Sequence, residues 1–126
     1  MTAAPGHRPG IDLIEIARVE RALQRRPRLA ARLFTEGELG YAGERARPAR
    51  HLAARFAAKE AAIKALGAPL APRSIEVVND DAGAPGLRLH GAAAERADQL
   101  GVDLTVSLTH SRDNAAAVVI AAPRPA

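Results

Sequence analysis

The sequence predicts a single α+β domain in which helices pack on a small antiparallel sheet. Apolar side chains recur at helical spacing as far as Leu66, whereas short alternating runs typical of β-hairpins follow Pro72. The chain has 126 residues and no internal repeat, so we expect one modest core.

Glycine and proline mark the limits of the first elements. Residues 1–10 contain two prolines and two glycines and predict a flexible arm. Residues 11–24 predict an extended start that passes into a helix. Residues 28–34, after the break at Pro27, predict a second short helix.

Two further helices are predicted before Pro72. Thr35 and Glu38 have the spacing of a capping box, in which each side chain bonds the other's backbone amide, so a short helix follows them. A long helix over residues 49–66 ends at Gly67, because glycine adopts the left-handed conformation that follows a helix.

The second half of the chain predicts a hairpin, a helix and a second hairpin. The predicted strands are residues 75–78, 87–89, 104–108 and 115–121, with a helix at residues 92–100 and a polar turn at residues 109–114. We therefore place the domain at residues 11–121 and expect a frayed tail at residues 122–126.

The charge of the chain favours an acidic partner. The net charge is +4, and residues 18–32 contain six arginines but a single acid, Glu20. Such a cluster suits an acidic protein surface or nucleic acid, although a solvated face without a partner remains an equal alternative. Nucleic acid is disfavoured, because the chain has only three aromatic residues and no zinc-finger or helix-turn-helix signature.

The composition also excludes several classes of site. There is no cysteine, which excludes disulfides and thiolate chemistry. No apolar run is long enough to cross a membrane, and the first ten residues lack the apolar centre of a signal peptide. We therefore expect a cytoplasmic protein without membrane contact.

The only two lysines, Lys59 and Lys64, both fall in residues 55–67 of the long helix. A helical projection places Lys59 within an apolar stripe, where an ammonium must reach solvent or meet an anion. That stripe consists of Leu52, Phe56, Ile63 and Leu66. Glu60 and Lys64 lie one turn apart on the adjoining flank, either as an ordinary exposed pair or as part of an anion site.

Two carboxylates are candidate metal ligands. Asp12 and Glu60 are hard oxygen donors of the kind that Mg²⁺ takes together with phosphate oxygens and water. Asp12 has an alternative role as a helix N-cap, and His110, in the predicted turn, has an alternative as an ordinary surface histidine. Each residue alone is a weak signal.

Taken in order, these segments resemble the holo-acyl-carrier-protein synthase family of phosphopantetheinyl transferases. The matching motifs are Gly10-Ile11-Asp12-Leu13-Ile14-Glu15-Ile16 with Arg18, Arg32-Leu33-Phe34-Thr35 with Glu38-Leu39, Arg55-Phe56-Ala57-Ala58-Lys59-Glu60-Ala61 with Lys64-Ala65-Leu66-Gly67, Ile75-Glu76-Val77 with Gly83 and Pro85, and Val106-Ser107-Leu108-Thr109-His110 with residues 115–120. Five motifs in order are far more specific than any one of them.

The resemblance implies transfer of 4′-phosphopantetheine from coenzyme A to a serine of apo acyl carrier protein. It implies Mg²⁺ on Asp12 and Glu60, and catalytic roles for Asp12, Glu60 and Lys64. It also implies a homotrimer with coenzyme A between subunits. The expected coenzyme A contacts are Arg55, Lys59, Lys64, Ser107 and His110, and the expected carrier-protein contacts are Arg18, Arg21 and Arg25. The alternative is a non-catalytic basic module of the same fold that binds an acidic protein or nucleic acid.

Overall fold

The computed structural model describes residues 6–126 and confirms the α+β class. The helices are α1 (Ile16–Arg25), α2 (Leu29–Leu33), α3 (Glu36–Gly43), α4 (Pro48–Leu66) and α5 (Gly91–Leu100). The strands are β1 (Arg8–Glu15), β2 (Ile75–Asn79), β3 (Pro85–Leu89), β4 (Val102–His110) and β5 (Asn114–Pro123), and Pro72–Ser74 form a 3-10 turn.

The strands form two antiparallel sheets rather than one. A three-stranded sheet has the order β1-β5-β4, and β2 and β3 form a separate hairpin. Because β1 and β5 pair along their length, the first and last strands of the chain are neighbours, with Asp12 opposite Ala117. One face of the larger sheet packs on α4, and its other face is open to solvent.

Helix α4 is buried over a wider arc than an apolar stripe would give. Leu52 and Leu66 are buried as expected, but Phe56 and Ile63 are only partly so. Seven alanines of α4 are buried instead, since their small side chains let neighbouring elements approach closely. They are Ala53, Ala54, Ala57, Ala58, Ala61, Ala62 and Ala65. Within residues 6–126, no helix combines the length and the apolar character that a membrane span needs.

A glycine in β1 allows one of these close approaches. Gly10 is buried where β1 crosses α4, and a Cβ added there would overlap the backbone carbonyl oxygen of Ala61. Because the two backbones are in contact at Gly10, the following residues of β1 lie close to α4. Asp12 is therefore beside the part of α4 that carries Glu60 and Lys64.

Lys59 is the charged centre of the core. Its side chain has 0% exposure, and its ammonium lies 2.7 Å from Glu38, which is also fully buried. The ammonium also donates to the carbonyl oxygens of Pro72 at 3.0 Å and Ile75 at 2.6 Å, so all three of its protons have acceptors. Burial lowers the pKa of Lys59, and the hydrogen bond and charge of Glu38 oppose that shift.

Glu38 is equally well satisfied, as the capping box predicted from the sequence requires. One carboxylate oxygen accepts from the Thr35 amide at 3.0 Å and from Lys59, and the other accepts from the Val77 amide at 3.0 Å. The Glu38 amide in turn donates to the Thr35 hydroxyl. The network joins α3, α4, the 3-10 turn and β2.

Both ends of the domain are more ordered than the sequence indicated. Residues 8–10 belong to β1, so the prediction of a flexible arm is wrong for them, while residues 1–5 lie outside the described residues. The Arg8 Nε atom donates to the Ala65 carbonyl oxygen at 2.8 Å, which ties β1 to the end of α4. The predicted frayed tail is wrong as far as Arg124, whose guanidinium binds Asp98 and Asp103 at 2.8 Å each.

We predict that Glu38→Gln lowers the free energy of unfolding by about 3 kcal/mol, because it leaves the Lys59 ammonium buried without its counter-charge. Chemical denaturation measures the change. Glu44→Gln, which removes an exposed carboxylate just after α3, is the matched control and should change stability by less than about 0.5 kcal/mol. Equal stability of the two variants would show that the buried pair does not support the fold.

Candidate functional site

Asp12 and Glu60, the two candidate metal ligands, line one cleft. The cleft has a volume of about 450 Å³ and lies between β1, α1, α2 and α4. We call it the carboxylate cleft; its lining includes Asp12, Arg18, Leu23, Leu33, Phe56 and Glu60. Asp12 lies within β1, and the N-cap of α1 is Glu15, so the alternative of Asp12 as an N-cap is wrong.

The two carboxylates influence each other. Partial burial raises the pKa of Glu60, the negative charge of Asp12 raises it further, and Lys64 opposes both. Within residues 6–126 Lys64 is paired with Asp12 rather than with Glu60. Its ammonium lies 3.3 Å from the Asp12 carboxylate and donates to the Ile11 carbonyl oxygen at 2.9 Å. Lys64 therefore connects α4 to β1 next to Asp12.

This arrangement fits a magnesium ion that is completed by substrate. Partial burial and the Asp12 carboxylate both raise the pKa of Glu60, and a divalent cation between the two carboxylates would favour their charged forms. No group of three or more His, Cys, Asp or Glu side chains in the described part of the chain is placed to hold a metal. Two carboxylates match Mg²⁺, which takes its remaining oxygen ligands from phosphates and water.

A second cleft carries positive charge. Its volume is about 420 Å³, and we call it the basic cleft; its lining includes Tyr41, His51, Arg55, Asn79, Thr109 and His110. Arg55 is buried, donates to the Asn79 side-chain oxygen at 2.7 Å and lies 3.9 Å from the centre of the Tyr41 ring. Arg45 lies 3.4 Å from the centre of the same ring.

The arginine of the basic cleft and the two arginines near it have no carboxylate partner in the described part of the chain. Among residues 6–126 no carboxylate forms an ion pair with Arg45, Arg50 or Arg55. The Nε atoms of Arg50 and Arg55 are buried without a hydrogen-bond partner in that range. Burial lowers the pKa of Arg55 despite the opposing effects of Tyr41 and Glu38. A cleft of this kind suits a polyanion.

The structure assigns the other predicted site residues to different places. Arg18, Arg21 and Arg25 are exposed on α1, and Arg18 also borders the carboxylate cleft. Ser107 is exposed on β4, and His110 is the last residue of that strand rather than part of the turn. The two clefts share no lining residue, so Asp12 and Glu60 line one cleft and Arg55 and His110 line the other.

The expectation that Lys59 contacts coenzyme A is wrong. Its side chain has no exposed surface, and all three donors are used by Glu38, Pro72 and Ile75. The apolar environment that the sequence indicated is real, but the anion that meets the ammonium is Glu38 from the protein itself.

Three residues of the basic cleft escaped the sequence analysis: Tyr41, His51 and Asn79. His51 precedes Arg55 by four residues, so the two share one face of α4, and that spacing was available in the sequence. Tyr41 and Asn79 come from α3 and the end of β2, and only the tertiary structure brings them to Arg55.

Comparison with known proteins identifies the family of this chain. The sequence model of the 4′-phosphopantetheinyl transferase superfamily matches residues 8–120. The chain belongs to this superfamily. Holo-[acyl-carrier-protein] synthase from Moorella thermoacetica is 50% identical over 115 residues, covering 88% of this chain and 90% of the relative. The Streptomyces coelicolor enzyme of the same name is 51% identical over 115 residues, covering 89% and 94%.

A solved structure of the superfamily has the same fold. The complex of the Chronobacterium ammoniagenes synthase with coenzyme A superimposes with a TM-score of 0.84 at 30% identity, covering 94% of this chain and 98% of that one. The resemblance inferred from five sequence motifs is therefore confirmed at the level of family and of fold.

Proposed function

We propose that this phosphopantetheinyl transferase is a Mg²⁺-dependent holo-acyl-carrier-protein synthase. It transfers 4′-phosphopantetheine from coenzyme A to a serine of apo acyl carrier protein in the cytoplasm, for fatty acid or polyketide biosynthesis. The observation that carries the proposal is the pair of carboxylates, Asp12 and Glu60, held by β1 and α4 in one cleft. Relatives of about 50% identity that carry this enzyme name support it.

The reaction exchanges a phosphoanhydride bond of coenzyme A for a phosphodiester bond to the carrier serine. The serine hydroxyl gives up its proton and its oxygen bonds to the phosphorus attached to pantetheine, while the P–O–P bridge breaks and adenosine 3′,5′-bisphosphate leaves. Such transfers depend on positioning and on neutralisation of charge. Asp12 and Glu60 would hold Mg²⁺, which neutralises the phosphates when bound. Lys64, with 55% of its side chain exposed, is free to turn from Asp12 towards a phosphate.

The basic cleft would hold the nucleotide part of coenzyme A. Arg55 and His110 supply cationic or hydrogen-bonding groups there, and Thr109, Gly83 and Pro85 complete its wall. Ser107 lies on the same strand as His110, on the exposed face of the sheet. Lys59 is no longer among the contacts, and its role is to support the helix that carries Arg55 and Glu60.

The separation of the clefts supports a homotrimer in which neighbouring subunits complete each site. The open face of the β1-β5-β4 sheet exposes Ile11 by 67%, Leu13 by 69% and Val118 by 37%. Ile11 and Val118 face each other across the strands, so these side chains form a continuous apolar patch. Packing of this face between subunits would let a ligand reach the carboxylate cleft of one chain and the basic cleft of the next.

The enzymatic proposal predicts that the purified chain, coenzyme A and Mg²⁺ add one phosphopantetheine to an apo carrier protein, read as a mass increase. Glu60→Gln keeps the shape but removes a negative charge, so the rate should fall about 100-fold, or roughly 2.7 kcal/mol. Its fold should persist, because Glu60 is outside the core. Near-normal activity of Glu60→Gln in Mg²⁺ would exclude the ligand role, and carrier binding without any transfer would favour the non-catalytic module.

The assembly proposal predicts that light scattering gives a mass of about three chains at micromolar concentration. Ile11→Asp places a charge in the apolar patch and should give smaller species. Ala92→Asp, at an exposed position on α5, is the control and should leave the mass unchanged. A wild-type chain that is monomeric and fully active would contradict the shared site.

We place the docking surface for the carrier protein on α1. Arg18, Arg21 and Arg25 are spaced by three and four residues, so they share one exposed helix face. Within residues 6–126 none of them forms an ion pair. Because Arg18 also borders the carboxylate cleft, an acidic carrier bound on α1 would have its serine close to Asp12 and Glu60.

Docking on α1 predicts that Arg25→Glu raises the KM for carrier protein and leaves the KM for coenzyme A nearly unchanged. The effect should shrink between about 0.05 and 0.5 M salt, where the Debye length falls to roughly 4 Å. Arg73→Glu makes the same charge change at an exposed site outside α1 and is the control. An unchanged KM for carrier protein, or an equal rise in both KM values, would rule out this docking surface.

A further inference from the structure

His51 is a titratable side chain of the basic cleft to which the proposed chemistry assigns no role. It lies on α4, one turn before Arg55, and is partly buried. Its ring packs edge-on against His110 with 6.1 Å between ring centres and an angle of 75° between planes. On its other side it packs edge-on against Tyr41 at 6.0 Å. The contact with His110 joins α4 to the end of β4.

The groups around this histidine pair are basic or uncharged. Arg50 and Arg55 come from α4, and Arg45 comes from the segment between α3 and α4. The cleft is also lined by Asn79, Gly83 and Pro85 of the β2–β3 hairpin and by Tyr41 of α3. Burial lowers the pKa of His51, and the charges of Arg50, Arg55, His110 and Arg45 lower it further. All of these effects favour the neutral form of the ring in the free protein.

We propose that His51 and His110 together form a proton-linked phosphate clamp, in which a phosphate group of coenzyme A enters the basic cleft together with a proton taken up by the pair. Two protonated rings in contact, surrounded by arginines, would repel each other. A bound dianionic phosphate would supply the missing counter-charge and convert a neutral ring into a charged hydrogen-bond donor. This inference rests on the proposed coenzyme A site and adds His51 to it as a binding residue.

The coupling of phosphate binding to proton uptake fixes the direction in which affinity changes with pH. Because the complex holds more protons than the free protein, affinity should fall as the pH rises, by tenfold per pH unit for each proton taken up. The Kd of the wild-type chain for adenosine 3′,5′-bisphosphate should rise about threefold to tenfold from pH 7 to pH 8. In this range the monoester phosphates, with a second pKa of about 6, are largely dianionic and contribute little.

Isothermal titration calorimetry with adenosine 3′,5′-bisphosphate tests the clamp. Titrations at pH 7.5 in PIPES and in Tris, buffers that differ in ionisation enthalpy, count the protons exchanged on binding. We expect uptake of roughly one half to one proton per nucleotide in the wild type and about half of that in His51→Phe. His7→Phe, which changes an exposed histidine outside the cleft, is the matched control and should leave the uptake unchanged.

Two further measurements keep the test independent of the folding of one variant. His51→Gln should show the same loss of uptake as His51→Phe, with thermal unfolding recorded for both. Nitrogen-15 NMR of the histidine rings in the wild type should show at least one of His51 and His110 become protonated when nucleotide is added at pH 7.5.

The possible outcomes distinguish a failure of the clamp from a failure of the proposed coenzyme A site. Nucleotide binding without proton uptake, or equal uptake in wild type and both His51 variants, would overturn the clamp and leave the coenzyme A site intact. A wild-type chain that binds no nucleotide would overturn both the clamp and the proposed function.

Discussion

The buried ion pair between Lys59 and Glu38 is the interaction on which the positions of the other functional groups depend. Removing two charges from water is costly, and only nearly complete hydrogen bonding makes such a pair tolerable in a core. Here the ammonium uses all three protons, and both carboxylate oxygens accept from the protein. The geometry that satisfies both charges allows little rotation of α4 relative to α3 and β2.

With Lys59 fixed in the core, its neighbours on α4 point into two different clefts. Arg55 precedes Lys59 by one turn and faces Asn79 and Tyr41 in the basic cleft. Glu60 follows Lys59 and is rotated by about 100°, which directs it to the carboxylate cleft. One helix therefore supplies side chains to both clefts, and helical geometry sets the orientation of Arg55 relative to Glu60.

The alanine-rich composition has a second consequence for the site. Small residues let β1 cross α4 with backbone in contact with backbone at Gly10 and Ala61. A larger residue at Gly10 would move β1 outwards and carry Asp12 away from Glu60. The same composition leaves few bulky side chains in the core, and two large apolar side chains, Ile11 and Leu13, lie exposed on the open face of the sheet.

The sequence alone determined the order and type of the elements and the family. It also singled out Asp12 and Glu60 as candidate metal ligands. These depend on local spacing: capping boxes, glycine at helix ends, strand alternation and motifs that stand in order along the chain. It did not determine the division into two sheets, the ordered residue Arg8, or the positions of His51 and Tyr41 in the basic cleft. Each of these depends on contacts between residues distant in sequence.

Lys59 shows most clearly the difference between what the sequence determines and what only the tertiary structure determines. Helical periodicity predicted that Lys59 lies on an apolar helix face. It also predicted that a buried ammonium there needs an anionic partner. Whether that anion is a ligand phosphate or a protein carboxylate depends on where Glu38 lies, 21 residues away in the chain. Only the packing of α3 on α4 decides that, because periodicity reports which face of a helix is buried but not which side chain is buried against it.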